Sequence, residues 1–176
     1  MIAAALLAFL LQDAPFKHEN TTDNLKQLFE KIQKADEKTS LALTNGVLPD
    51  EAALRKALKD GVAPETIVQA VDFWKKLIPP EDAKRSRIFV PDAAYSEVSV
   101  HSSTTEELLK YEKGSAAFMY FPGGAKKLAE AVLRPGMTWH EVVLTKPGTK
   151  EKTPFHLFYW TGERWSCLGP LWRALK

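Results

Sequence analysis

The sequence predicts an α+β protein. About three helices at the N-terminal end precede a mainly antiparallel sheet of about five strands with two short helices. Three observations lead there. Apolar residues recur at helical spacing between residues 22 and 78. Aromatic residues crowd the later part, with 11 in residues 97–176 against 7 in residues 1–96, and aromatic density favours strands. Pro79-Pro80, Pro135-Gly136 and Pro147-Gly148 punctuate the chain where elements should change.

The elements follow in order. Ile2 to Leu11 is an uninterrupted apolar run. Ten residues of helix rise about 15 Å, half a bilayer core, so the run is too short for an ordinary transmembrane span. Residues 1–14 therefore read as an apolar N-terminal segment with the length of a signal peptide, and the expected location is exported, periplasmic or extracellular. Against this, no Lys or Arg precedes the run and Leu10-Leu11-Gln12 makes a poor cleavage site. The alternative is a cytoplasmic protein whose N-terminal helix packs on the body.

Residues 15–80 read as a helical subdomain. Thr21, Thr22 and Asp23 are helix caps, and Leu25, Leu28, Phe29, Ile32 and Ala35 form one stripe of a helix running to about Leu43 and stopped by Asn45-Gly46. Pro49-Asp50-Glu51 opens a second helix that Gly61 stops, and Pro64-Glu65 opens a third that ends at Pro79-Pro80. Residues 81–87 read as a charged connector. Its basic cluster Lys84, Arg85 and Arg87 is short and reads as a solvated linker rather than a phosphate contact.

Residues 88–176 read as an α+β domain. Glu97 to His101 alternates as a strand does. Glu106-Glu107 lies in the first turn of a helix closed by Gly114, and Ala116 to Phe121 is a strand candidate. Gly123-Gly124 precedes a helix. Thr138 to Thr145 is a strand, and Phe155 to Trp160 with Arg164 to Leu168 forms a hairpin around Thr161-Gly162. This hairpin resembles the closing strands of the cone-shaped sheets in cystatin-like and nuclear-transport-factor-2-like domains. It carries no family motif, so the resemblance implies no residue roles.

Composition and charge exclude whole classes. The 176 residues are 45% hydrophobic and 26% charged, which rules out a disordered tail and a collagen-like repeat. Lys and Arg number 24 against 22 Asp and Glu, a net charge of +2, too small a field to select nucleic acid as partner. Cys167 is the only cysteine, so there is no internal disulfide and no cysteine-based metal site. No metal or cofactor is expected.

The candidate chemistry is thin. His140 and His156 lie on strands that should pair through a loop centred near Thr149. They are then offset along the strands and not placed as two metal ligands. His156 could meet Cys167 across a two-residue turn as an imidazole–thiol pair, whereas a three-residue loop would set Cys167 opposite Phe155 and among apolar side chains. Glu141, beside aromatics, is a candidate acid. Gly123 and Gly124, followed by Lys126 and Lys127, could form an anion cradle at a helix start, although the spacing matches no phosphate-loop motif. Trp160, Trp165, Trp172, Tyr159 and Phe158 could floor a pocket for a sugar or peptide, but they fit a sheet core better.

The sequence therefore points to an exported, non-catalytic domain that binds a protein or small-molecule ligand, with no integral membrane span. One alternative is an enzyme on an anionic or polar substrate that gathers Lys126, His140, Glu141 and His156 in one cavity. Another is an assembly protein that exposes Phe73, Trp74 or Leu77 on its helical surface.

Overall fold

A computed structural model describes residues 16–175. The apolar segment 1–14, read above as a possible signal peptide, lies outside the described residues. Eight α-helices and four strands occur among those residues. The class is α+β, with a four-stranded antiparallel sheet where about five strands were expected.

Helix α1 spans Thr22–Lys34 and α2 spans Glu37–Val47, where the apolar spacing predicted one helix. The break falls at Ala35-Asp36 because Asp36 caps α2 by accepting from Thr39 N at 2.7 Å. Thr21 caps α1 in the same way, through Asn24 N at 3.1 Å. Asn45-Gly46 does not stop the chain, and α2 runs on to Val47. Helices α3 (Glu51–Ala57) and α4 (Pro64–Leu77) match the expected second and third helices. The connector contains a short α5, Asp82–Arg85, in which Lys84 pairs with Glu81 and Arg85 with Asp82. Its cations are thus partnered on their own turn.

Strand β1 (Glu97–Thr104) runs directly into α6 (Thr105–Lys110) through a capping box. Thr104 Oγ1 accepts from Glu107 N at 3.2 Å, and Glu107 accepts from Thr104 N at 2.7 Å. Residues Ala116–Tyr120, read above within a strand, form helix α7. A short apolar run carries no period of its own, and here the cap decides: Ser115 Oγ accepts from Phe118 N at 3.2 Å. Helix α8 spans Gly123–Ala131, β2 spans Thr138–Thr145, β3 spans Lys152–Trp160 and β4 spans Trp165–Cys167. A 3-10 turn, Leu171–Arg173, follows.

The sheet is a meander in the order β1-β2-β3-β4, antiparallel throughout. Its faces are covered by different parts of the chain. Phe155 and Phe158 of β3 meet Phe29 of α1 and Phe89, with ring centroids 5.1–5.9 Å apart, and Trp165 Nε1 donates to Asn24 Oδ1 at 3.1 Å. On the opposite face Trp139 packs on Tyr159, and its Nε1 donates to Thr105 Oγ1 of α6 at 2.9 Å. Each fully buried ring of this kind contributes roughly 2 kcal/mol. Both parts of the chain share one hydrophobic cluster.

Phe155 and Phe158 are three residues apart, yet they face the same layer. A bulge makes this possible. His140 pairs with Phe158 and Val142 with Phe155, so one residue of β2 opposes His156 and Leu157 of β3. Leu157 takes φ +61, a left-handed conformation rare for a branched side chain, and is fully buried.

Candidate functional site

The bulge positions the first group of polar residues. Glu141 is the β2 residue opposite it, only 4% exposed, and its carboxylate accepts from His156 Nδ1 at 2.7 Å. The His156 side chain is 21% exposed and packs beside the Trp172 indole. On the other side of Glu141, the β1 register places His101 directly opposite, stacked on Tyr120 of α7 with centroids 3.5 Å apart. Burial holds the His101 imidazole below its ordinary range, with Lys152 adding to the effect and Glu141 opposing it. His101, Glu141 and His156 therefore form a row across three strands, under the C-terminal helices. Among the described residues, no group of three or more His, Cys, Asp or Glu is placed to hold a metal ion.

His140 precedes Glu141 and so points to the other face. It is 6% exposed, meets Trp165 edge-on, and its Nδ1 lies 2.8 Å from Ser102 Oγ on β1. Burial lowers its pKa to about 4, so the ring is neutral near pH 7. Of the four residues in the alternative enzyme reading, Glu141 and His156 meet and the other two lie apart from them. His140 lies on one face and Glu141 with His156 on the other, while Lys126 pairs with Glu130 on its own helix.

The β3–β4 turn has neither of the expected registers. Trp160 pairs with Trp165 and Phe158 with Cys167, which leaves a four-residue loop. Cys167 Sγ meets the backbone oxygen of His156 at 3.6 Å rather than its ring, and burial pushes the thiol well above its usual range. At the start of α8, a β-carbon on Gly124 would run into the Trp172 ring, whereas Gly123 faces open space. Lys127 is exposed. Trp74 is buried against Gly169, so of the three residues named for an assembly surface only Leu77 is well exposed, with Phe73 half-buried.

Two clefts open beside this framework. The larger, about 710 Å³, lies where the α3–α4 connection meets the β3–β4 turn. Its rim is held by a short ladder. Leu58 bridges Leu133, Lys59 N donates to Val132 O at 2.8 Å, and Arg134 N donates to Ala57 O at 2.9 Å. Arg134 grips Asp60 through both terminal nitrogens, at 3.0 and 2.8 Å, and its Nε donates to Lys56 O at 2.9 Å. Those bonds hold the Asp60 carboxyl below the usual carboxylate range. Arg55, Lys56, Lys59, Arg134 and Asp60 line the cleft above the apolar Val62, Ile67, Met137 and Trp160; Arg55 is paired with Glu51 at 2.7 Å and Lys56 Nζ donates to Thr161 O at 2.7 Å. Lys59 pairs with no carboxylate among the described residues.

The second cleft, about 520 Å³, shares Met137 and Trp160 with the first and is lined by Ser102, His140, Thr22 and Thr138. It contains no ionised side chain. Sequence reasoning reached His140 but neither Ser102 nor the basic cleft, whose cations come from α3, from the α3–α4 connection and from the chain after α8. The signal on offer was the pair of turn glycines at its mouth, Gly61 (φ +79) and Gly162 (φ +101).

The arrangement can bind an anion through fixed positive charge and can present hydrogen-bond donors from neutral groups. No helix among the described residues is long and apolar enough to cross a membrane. Compared with protein families, with curated proteins and with solved structures, the chain matches none.

Proposed function

We propose that this protein is a non-catalytic binding module for a small organic anion, held in the basic cleft between the α3–α4 connection and the β3–β4 turn. One observation carries the reading: Lys59, with no carboxylate partner among the described residues, and Lys56, whose Nζ donates only to Thr161 O, add positive charge to a rim where Arg55 and Arg134 are already paired with Glu51 and Asp60, around an apolar floor. Positive charge at the rim attracts the anion, while Ile67, Met137 and Trp160 supply apolar contact for its body. The Arg134–Asp60 clamp ties the two sides of the rim together, and Lys59 remains available to the ligand. We also propose that the apolar run at residues 2–11 directs export, which N-terminal sequencing of the native protein tests: a product beginning at Met1 would refute it.

The binding reading is tested by titrating inorganic phosphate into the labelled protein and following backbone amide resonances. Gly61 and Gly162 should shift together and saturably, and Lys59→Glu should abolish the shifts. Resonances that stay still, or that move equally in the Lys59→Glu variant, would overturn the reading.

A further inference from the structure

We propose that the ligand is an acidic sugar, a saccharide carrying a phosphate or carboxylate, whose charged group sits in the basic cleft and whose uncharged ring enters the neutral recess beside Ser102 and Thr22. This rests on the anion-binding reading of the basic cleft and adds the rest of the molecule to it.

The two hollows share Met137 and Trp160, so one ligand can occupy both by crossing those side chains. Their chemistry is opposite in kind. The first is cationic. The second offers hydroxyls from Ser102, Thr22 and Thr138, the amide of Asn20, and the His140 imidazole. Burial keeps that imidazole neutral, so the recess presents hydrogen-bonding capacity without charge. When Ser102 donates to Nδ1, the ring proton lies on Nε2, which bonds to no other described residue and is left as a donor. The side chains of Asn20, Thr22 and Thr138 likewise make no hydrogen bond among the described residues.

Competing ligands fit less well. An aliphatic anion would press methylene groups against hydroxyls and an imidazole, whose lost water contacts would go unreplaced. A ligand charged at both ends would place its second charge among groups with no counter-charge. A sugar ring presents hydroxyls to such a recess and a C–H face to an aromatic side chain, and Trp160 is the half-buried aromatic between the two hollows.

The test is calorimetric titration of the full chain at constant ionic strength, with glucose 6-phosphate against inorganic phosphate and glucuronate against acetate. At least one sugar acid should bind about tenfold more tightly than its small counterpart, the effect of one or two added hydrogen bonds. Thr22→Val or Ser102→Ala should remove that margin and leave the small anion's affinity unchanged. If neither sugar acid shows the margin, or if it survives in both variants, the inference is overturned while the basic cleft stands as an anion site. Absence of binding by all four probes would overturn both.

Discussion

The imidazole of His156 donates to the carboxylate of Glu141 at 2.7 Å, strand to strand across a bulge, and the carboxylate has almost no contact with solvent. A buried carboxylate is tolerated only with a partner. Removing the imidazole should therefore cost more than neutralising the acid. His156→Ala is expected to lower stability by about 3 kcal/mol, because it strands the charge. Glu141→Gln should cost only about 1 kcal/mol, since an amide oxygen still accepts from Nδ1. Urea unfolding of the two variants checks the order, and equal losses would contradict it.

Gly124 has an ordinary φ, so its need for glycine is one of space. Trp172 occupies the position a β-carbon would take. Gly124→Ala should cost about 2 kcal/mol in the native chain and much less beside Trp172→Ala, where the space is vacant. A double-mutant cycle by thermal unfolding measures the difference. An additive result would mean that the indole moves aside freely.

His140 makes stability depend on pH. Its pKa is about 4 in the fold against 6.5 as the ordinary value. Between those values the unfolded chain binds a proton that the folded chain does not. The stabilisation is therefore complete above about pH 6.5 and is lost as the pH falls toward 4, by about 3 kcal/mol in all. His18 and His101 are shifted in the same direction and add to the slope. Denaturant melts at a series of pH values should show a shallower slope in His140→Gln than in the parent.

Cys167 is buried and its thiol is held protonated. The native protein should release almost no chromophore with a disulfide reagent near pH 8, and one equivalent once unfolded. Rapid native reaction at Cys167 would show that the end of β4 opens readily.

What was readable beforehand was local. Pro64 starts α4, Glu106-Glu107 marks the first turn of α6, and β2 has the expected bounds, because these signals act within a few residues. What was missed depends on distance or on a single cap. Asp36 splits a continuous apolar stripe into α1 and α2, and Ser115 turns an apolar run into α7. The β3–β4 loop takes four residues, with Thr161 Oγ1 accepting from Arg164 N at 3.1 Å, a side-chain turn that glycine position alone does not reveal. The basic cleft joins residues 74 apart through Arg134 and Asp60, and the Ser102–His140 contact spans 38 positions. No periodicity encodes such meetings.

The bulge at His156-Leu157 sets which lengths of β3 keep its side chains in their layers. Gaining one residue between Phe155 and Phe158 with the bulge kept would turn half of the strand's side chains into the opposite layer, away from Phe29 and Phe89, whereas losing one would remove the bulge and leave both rings on their layer by regular alternation. The stretches 146–151 and 161–164 lie outside both layers and can lengthen or shorten without that penalty. Sequences that share this architecture should accordingly vary in size at those two turns and, from 152 to 160, differ by no more than the single bulge residue.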